Sequence, residues 1–155
     1  MTELTSGMPA PQFEGTDQDG NAVKLSSFLG KKVVLYFYPK DDTPGCTAEA
    51  CSLRDNYKEL LKKGFIVLGV SPDSEKSHSK FAGKYNLPFP LIADPEKKIL
   101  SAYGAWGEKV MYGKKVTGVI RTTFIIDEKG NIEKVVRKVD TKDHAGQIFK
   151  MYENV

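Results

Sequence analysis

Strands are predicted where apolar residues run together or alternate along the chain. Val33–Tyr38 and Phe65–Ser71 are nearly continuous β-branched and aromatic runs, the pattern of central strands buried on both faces. Val119–Ile126 and Ile132–Lys138 alternate on either side of an Asp-Glu-Lys-Gly turn, which is typical of a hairpin. A further short strand is predicted at Pro88–Ala93.

Helices are predicted between and after these strands. Thr43 and Pro44 have the features of a helix start, with Thr43 as the cap and Pro44 in the first turn. This helix is expected to run to about Lys63, where Gly64 would end it. The other predicted helices are Ser74–Tyr85, Glu96–Tyr103 and Asp143–Tyr152.

The order of elements indicates the fold class. A βαβα sequence followed by a hairpin and a helix predicts an α/β protein with a central mixed β-sheet flanked by helices, which is the thioredoxin-like fold. Residues 1–31 are expected to be a lead-in, with a turn at Asp17–Gly20 and a short apolar piece at Val23–Phe28. No linker or repeat divides the sequence, so residues 1–155 are interpreted as one domain.

Composition narrows the function classes. The chain of 155 residues is 40% hydrophobic and 28% charged, with a net charge of +3 and lysine pairs scattered along it. Such scattered charge predicts no nucleic-acid partner. The first twenty residues are too polar for a signal peptide and no later run would span a membrane, so a cytoplasmic location is expected. Two cysteines in a reducing compartment are not interpreted as a structural disulfide.

The predicted helix after Thr43 places the two cysteines on different faces. At about 100° per residue, Cys46 falls on the side of the apolar stripe and Cys51 on the opposite, charged side. A buried free cysteine is common, whereas one on a polar face is a liability unless it has a use. The stripe comprises Ala50, Leu53, Tyr57, Leu60 and Leu61, and the charged neighbours of Cys51 are Asp55, Lys58 and Lys62.

Cys46 lies where a thiol is readily ionised. Unpaired N–H groups and the positive end of the helix dipole favour thiolate over thiol at a helix start. Thr43 can hydrogen-bond the sulfur or a substrate, and Gly45 leaves the backbone open to close approach. Asp41 and Asp42 oppose ionisation unless they point to solvent. The alternative is an inert thiol in an ordinary capped helix.

The spacing of the cysteines has a mechanical consequence. Residues five apart on an intact helix have Cα atoms about 8–9 Å apart, whereas disulfides rarely bridge more than about 7 Å. A disulfide between Cys46 and Cys51 therefore requires local unwinding of Cys46–Asp55.

Arg121 is the candidate partner for a thiolate. Strand alternation places it on one face with Val119, Thr123 and Ile125. Because an unpaired buried charge is costly, an arginine among such neighbours needs an anion. An edge-strand arginine that reaches solvent or pairs with a structural carboxylate is an equally good interpretation of these residues.

The region around the two cysteines resembles the active-site segment of the peroxiredoxins. It reads Tyr36-Phe-Tyr-Pro-Lys-Asp-Asp-Thr-Pro-Gly-Cys-Thr-Ala-Glu-Ala-Cys51, and the family pattern P-x-x-x-T-x-x-C is met by Pro39, Thr43 and Cys46. It is most similar to the peroxiredoxin Q subgroup, also called bacterioferritin comigratory proteins. The resemblance continues through Gly69-Val-Ser-Pro-Asp73, Tyr103-Gly-Ala-Trp-Gly-Glu108 and Arg121-Thr-Thr-Phe-Ile-Ile-Asp127, and so covers nearly the whole chain.

The resemblance implies a role for each residue of this segment. Cys46 would attack a peroxide O–O bond and become a sulfenic acid. Thr43 would hydrogen-bond the sulfur and the peroxide, and Pro39 would shield the pocket from water. Arg121 would hold the thiolate and stabilise charge on the departing oxygen. With Gly45 these residues would form the substrate site.

The resemblance also implies how the enzyme is recycled. Cys51 would resolve the sulfenic acid as an intramolecular disulfide, which a thioredoxin-like donor would then reduce. The resemblance implies no metal or organic cofactor. A resolving cysteine in the same chain removes the need for a partner subunit, so a monomer is expected.

Three other groups of residues have competing interpretations. Glu49 could orient Arg121, although an acid in the first helical turn that favours the helix dipole is the preferred interpretation. His78 and His144 are interpreted as surface helix residues rather than zinc ligands, because Cys46 and Cys51 lack the usual ligand spacing. Trp106, with Tyr103 and Tyr112, could form a docking surface, and packing is the preferred account.

Two rivals to a peroxidase remain open from the sequence. A dithiol–disulfide oxidoreductase shares the fold and the cysteine at a helix start, but its usual motif is C-x-x-C, and Cys46 and Cys51 are further apart. A redox sensor could use the disulfide-linked unfolding as a switch without turnover.

Overall fold

A seven-stranded mixed β-sheet lies at the centre of the structure, a computed structural model that describes residues 3–153. Within this range the order across the sheet is β2-β1-β5-β4-β3-β8-β9, and β6 pairs with β7 in a separate ribbon. The thioredoxin-like fold predicted from the sequence is confirmed. The strands are β1 (Glu14–Thr16), β2 (Ala22–Lys24), β3 (Lys32–Phe37), β4 (Phe65–Ser71), β5 (Leu91–Ala93), β6 (Trp106–Met111), β7 (Lys114–Val119), β8 (Thr122–Ile126) and β9 (Ile132–Val136).

The two apolar runs of the sequence form the middle of this sheet. β3 pairs in parallel with β4 on one side and antiparallel with β8 on the other. Their side chains alternate between two apolar clusters, one on each face of the sheet. Leu35 and Phe37 lie in one cluster and Val34 and Tyr36 in the other, so β3 is buried on both faces, as its continuous apolar pattern predicted.

The helix that carries the cysteines is shorter than predicted. It begins at Pro44 but ends at Asp55, and a second helix begins after a break at Asn56. The break changes the rotational phase, so Leu61, predicted to face the core, is 45% exposed. The helices are α1 (Pro44–Asp55), α2 (Tyr57–Lys62), α3 (Glu75–Tyr85), α4 (Lys98–Ala102) and α5 (His144–Met151), with a 3-10 turn at Leu25–Phe28.

Two further predictions need correction. The predicted strand Val119–Ile126 is divided, because Val119 ends β7 and the next strand starts at Thr122. The sequence interpretation missed the β6–β7 ribbon, whose two-residue turn at Tyr112 and Gly113 has positive φ at both positions. The lead-in also holds two short strands, β1 and β2, that extend one edge of the sheet.

The connection between β3 and α1 positions the cysteines. α1 starts seven residues after β3 ends, at the carboxyl end of a central strand whose two neighbours run in opposite directions. Ligand and catalytic sites of open α/β sheets lie at this end of the strands. Within residues 3–153, none of the helices has both the length and the apolar character needed to cross a membrane.

Candidate active site

Cys46 lies in the first turn of α1 and is 1% exposed. Within residues 3–153 its sulfur has one hydrogen-bond partner, Nη2 of Arg121, which donates to Sγ over 3.3 Å. Cys51 lies further along the same helix, is half-buried, and like Cys46 is a free thiol. The structure therefore shows a buried sulfur opposite a guanidinium.

Arg121 contacts both the carboxylate of Glu49 and the sulfur of Cys46. The sequence pattern had placed it within a strand, but it lies between β7 and β8, and its side chain is 23% exposed. Its Nη1 donates to Oε1 of Glu49 over 2.7 Å while Nη2 faces the sulfur. Burial acts to lower the pKa of Arg121, but Glu49 and Cys46 outweigh it and raise that pKa. The arginine is thus a fixed positive charge beside the thiol.

Gly45 allows this arginine to approach the start of α1. A Cβ placed on Gly45 would lie 3.3 Å from Nη2 of Arg121, closer than side chains normally pack. The backbone of Gly45 is helical, so the position needs glycine for space rather than for conformation.

Thr43 stands at the N-cap of α1, but its side chain does not cap the helix. The sequence predicted that the hydroxyl would accept a hydrogen bond from a helix N–H group. Instead it donates to the carbonyl of Lys40 over 2.9 Å. No described side chain caps the first turn of α1, which keeps its N–H groups available to an anion. Pro39, two residues beyond β3, is half-buried in the same connection.

The two aspartates that could oppose a thiolate both bind α3 instead. Asp41 is buried and accepts hydrogen bonds from the Tyr38 hydroxyl, over 2.6 Å, and from Ser77 Oγ, over 2.7 Å. Asp42 is exposed and pairs with Lys84 over 2.9 Å; this hydrogen bond, with one from a tyrosine, lowers the pKa of Asp42. Asp42 therefore points to solvent, whereas Asp41 is buried and held by hydrogen bonds.

Glu49 is a buried site residue that the sequence interpretation undervalued. Its side chain is 0% exposed, contrary to the preferred interpretation as an ordinary first-turn acid, and it forms the ion pair with Arg121. Burial raises the pKa of Glu49 to about 7, against the lowering effect of Arg121. Its helical spacing from Cys46 and Leu53, three and four residues away, is the signal that would have placed it on the inner face.

Both histidines are buried, so their interpretation as surface residues was wrong. Nδ1 of His78 lies 2.7 Å from Oδ2 of Asp41, and Nε2 of His144 lies 3.5 Å from Oε2 of Glu49. In the described part of the chain, Asp41, Asp73 and His78 bring ligand atoms within 4.8 Å of one another. These atoms hydrogen-bond one another and their neighbours, and neither cysteine belongs to the group.

The aromatic residues considered as a docking surface separate. Tyr103 is buried, with its hydroxyl donating to the carbonyl of Pro11, while Tyr112 at the ribbon tip is 97% exposed. Trp106 is half-buried beneath the ammonium group of Lys97. For Tyr103 the packing interpretation holds.

A buried cysteine at a helix start, held by an arginine beside a thioredoxin-like sheet, defines a class of thiol-dependent redox enzyme. Comparison with known proteins identifies the family. Residues 6–135 match the AhpC/TSA family. The chain is 46% identical over 144 residues to a peroxiredoxin Bcp of Bacillus subtilis, covering 93% of this chain and 92% of that protein.

Two further comparisons agree. A putative peroxiredoxin bcp of Coxiella burnetii is 48% identical over 142 residues, or 92% of this chain and 94% of that protein. The structure of a Xanthomonas campestris bacterioferritin comigratory protein superposes with a TM-score of 0.87 at 35% identity, covering 94% of this chain and 96% of that one. The chain belongs to the AhpC/TSA family, in its peroxiredoxin Q subgroup. Peroxiredoxins are thiol-dependent peroxidases, and this chain is an enzyme of that class.

Proposed function

We propose that residues 1–155 act as one domain that reduces hydrogen peroxide and organic hydroperoxides through Cys46. The observation that carries the proposal is the 3.3 Å contact between Nη2 of Arg121 and the buried sulfur, in a helix turn that lacks a side-chain cap. The Xanthomonas protein has been described for alkyl peroxide reduction, which supports organic hydroperoxides as substrates.

The chemical step uses the cysteine as nucleophile. The thiolate of Cys46 attacks one peroxide oxygen, the O–O bond breaks, and the sulfur is oxidised to a sulfenic acid while the peroxide is reduced. The departing oxygen takes a proton and leaves as water or an alcohol. Arg121 stabilises the thiolate and then the charge that develops on that oxygen.

The neighbours of Cys46 orient the peroxide. The N–H groups at the start of α1, next to Gly45, would bind the peroxide oxygens. The hydroxyl of Thr43 lies at the same helix start and would hydrogen-bond the substrate after rotating away from Lys40. Pro39 would limit access of water to the sulfur.

Cys51 would complete the cycle by attacking the sulfenic sulfur, which forms a disulfide and releases water. Because α1 is intact between the two residues, their Cα atoms are too far apart for that bond until the helix unwinds. The break at Asn56 supports this step, since α1 can unwind without disrupting α2. A thioredoxin-like dithiol would then reduce the disulfide, with the protein acting as a cytoplasmic monomer and without a cofactor.

Intact mass spectrometry tests the assignment. The reduced protein is treated with one equivalent of hydrogen peroxide, beside the variants Cys46→Ser and Cys51→Ser. We expect the native protein to lose two hydrogens, Cys51→Ser to gain one oxygen, and Cys46→Ser to remain unchanged. Equal reaction of Cys46→Ser would reject the assigned roles and favour thiol–disulfide exchange, for which insulin reduction is the assay.

A further inference from the structure

A chain of buried polar contacts continues behind Arg121, away from the sulfur. Glu49 and His144 face each other there, both 0% exposed, on α1 and α5 respectively. Oε1 of Glu49 accepts from Arg121, but Oε2 has no hydrogen-bond partner in the described residues and lies 3.5 Å from Nε2 of His144. An unpaired, buried carboxylate oxygen is costly, so a proton between these two atoms would stabilise the site.

The hydrogen bonds around His144 fix which ring nitrogen carries its hydrogen. Gln147 donates to the carbonyl of Lys138 and accepts from the N–H of Asp140, so its Oε1 is an acceptor. That oxygen lies 2.9 Å from Nδ1 of His144, which must therefore donate. In the neutral ring Nε2 then carries a lone pair, which accepts from the Thr123 hydroxyl at 2.8 Å.

A neutral His144 and an ionised Glu49 therefore oppose two acceptors across the 3.5 Å gap. One added proton, on either atom, converts this repulsion into attraction. We propose that Glu49 and His144 hold one proton between them, and that this proton determines how strongly the charge of Arg121 acts on Cys46. His144 is then a positioning residue of the peroxidase site, and the proposal rests on the assigned role of Cys46.

The effect on Cys46 follows from competition for one guanidinium. When the pair holds its proton, the negative charge on the Glu49 side is neutralised, and Arg121 stabilises the thiolate most strongly. When the proton is lost, the Glu49 carboxylate offsets the charge of Arg121 and the thiolate is less favoured. Linkage makes the effect reciprocal, so thiolate formation strengthens proton binding by the pair.

The other charged and titratable groups around the pair leave this competition in place. Tyr36 of β3 faces Glu49, and burial raises its pKa well above the usual range, so it stays neutral. Burial lowers the pKa of His144, a hydrogen bond to Gln147 acts to raise it, and Arg121 and Asp140 act on it in opposite directions. With the pKa of Glu49 raised to about 7, the proton is exchanged near neutral pH.

Two substitutions by glutamine, each of which replaces a titrating group with a neutral amide, separate this proposal from a structural role. The Cys51→Ser protein isolates the thiolate absorbance of Cys46 during a pH titration, which should be broader than a one-proton curve because the sites are coupled. Adding Glu49→Gln removes the competing charge and should lower the midpoint by about 0.5–1 pH unit, with a one-proton slope. Adding His144→Gln supplies a permanent N–H to Oε2, keeps Glu49 ionised, and should raise the midpoint similarly.

Opposite shifts are the diagnostic result, since simple loss of packing would move both variants in the same direction. Glu59→Gln, an exposed carboxyl on α2, should leave the midpoint in place. Shifts of the same sign, or none, would overturn the proposal. As a check independent of folding, the ¹³C carboxyl signal of Glu49 and the ¹⁵N ring signals of His144 are followed in the Cys51→Ser protein. One of the two groups should take up a proton near pH 7, and a pair in which neither has done so by pH 6 would also reject the proposal. These readouts do not use peroxide, so they can fail while the peroxidase assignment stands.

Discussion

Gly45 leaves the space that the guanidinium of Arg121 occupies beside the start of α1. Gly45→Ala would place a methyl group 3.3 Å from Nη2 and push the guanidinium away from the sulfur. We expect the rate of peroxide reduction to fall about tenfold, because one charge-assisted contact at the reacting atom would be lost. Stopped-flow kinetics with hydrogen peroxide measure this.

The control for that variant is Gly83→Ala in α3. Beyond the backbone of α3 itself, no described heavy atom lies within 4 Å of the added Cβ there, and alanine in a helix stabilises by about 0.5–1 kcal/mol relative to glycine. Gly83→Ala should thus raise the thermal midpoint with unchanged kinetics. Equal kinetics for both variants would show that the position of Arg121 is not limited by Gly45.

Glu49 also makes the stability of the protein depend on pH. Its pKa is raised in the fold from 4.5 to about 7, so its contribution is fully present below about pH 4.5 and is lost as the pH rises through 7. A shift of this size corresponds to about 3 kcal/mol. The lowered pKa of His144 has the opposite effect, costing stability as the pH falls below about 6.5.

Glu49→Gln isolates the carboxyl from these two effects. The free energy of unfolding of the variant, relative to the native protein, should rise by about 2–3 kcal/mol between pH 5 and pH 8 in urea titrations. The exposed Glu59→Gln in α2 is the matched control and should show a flat difference. A flat difference for Glu49→Gln too would mean that the carboxyl stays ionised throughout.

The candidate site could be predicted only where its signals are local. Cys46 follows a recognisable helix start, and Arg121 stands out as a charge among apolar residues. Glu49 has only the weak signal of its helical spacing and His144 has none, because their burial depends on α5 docking against α1 from the far end of the chain. A helical acid and a lone histidine look like surface residues until that contact is known.

At the scale of elements, continuous apolar runs were predicted well and interruptions poorly. β4 was predicted with its observed ends, and β3 was displaced by one residue. The break at Asn56 has no glycine or proline to signal it, so α1 and α2 were joined. The ribbon was missed because β6 and β7 are mostly exposed and lack a clear apolar alternation.

α1 is also the element expected to move during turnover. Its contacts with the rest of the protein include the Glu49–Arg121 pair and Oγ of Ser52, which accepts from the N–H of Ala145 in α5. We expect the disulfide form to lose amide-exchange protection over Cys46–Asp55, because the bond cannot form on an intact helix. Hydrogen exchange followed by mass spectrometry compares the oxidised and reduced forms.

Amides of β4 provide the internal reference for that experiment. They lie in the middle of the sheet and should keep their protection in both forms. Protection of α1 that survives oxidation would rule out local unwinding. Protection lost from β4 as well would indicate global rather than local opening.

At the scale of the whole molecule, the connection that carries Pro39 and Thr43 is tied to the sheet through α3. Nε2 of His78 lies 3.1 Å from the carbonyl of Ile92, to which it donates, and Nδ1 lies 2.7 Å from Oδ2 of Asp41. A proton must lie in that second contact, since the carboxylate is an acceptor. This buried pair joins β5, α3 and the start of the active site.

Removing His78 would leave the buried Asp41 carboxylate without its ionic partner, with the hydrogen bonds from Tyr38 and Ser77 remaining. His78→Ala should therefore lower the free energy of unfolding by about 3–5 kcal/mol, to which the cavity adds. Lys84→Ala breaks a neighbouring pair with Asp42 in which both side chains are largely exposed, and because solvent screens such a pair its loss should change the stability little. Urea titrations of the two variants compare these values directly. Similar losses in the two variants would show that the buried His78–Asp41 pair stabilises the protein no more than the exposed Lys84–Asp42 pair does.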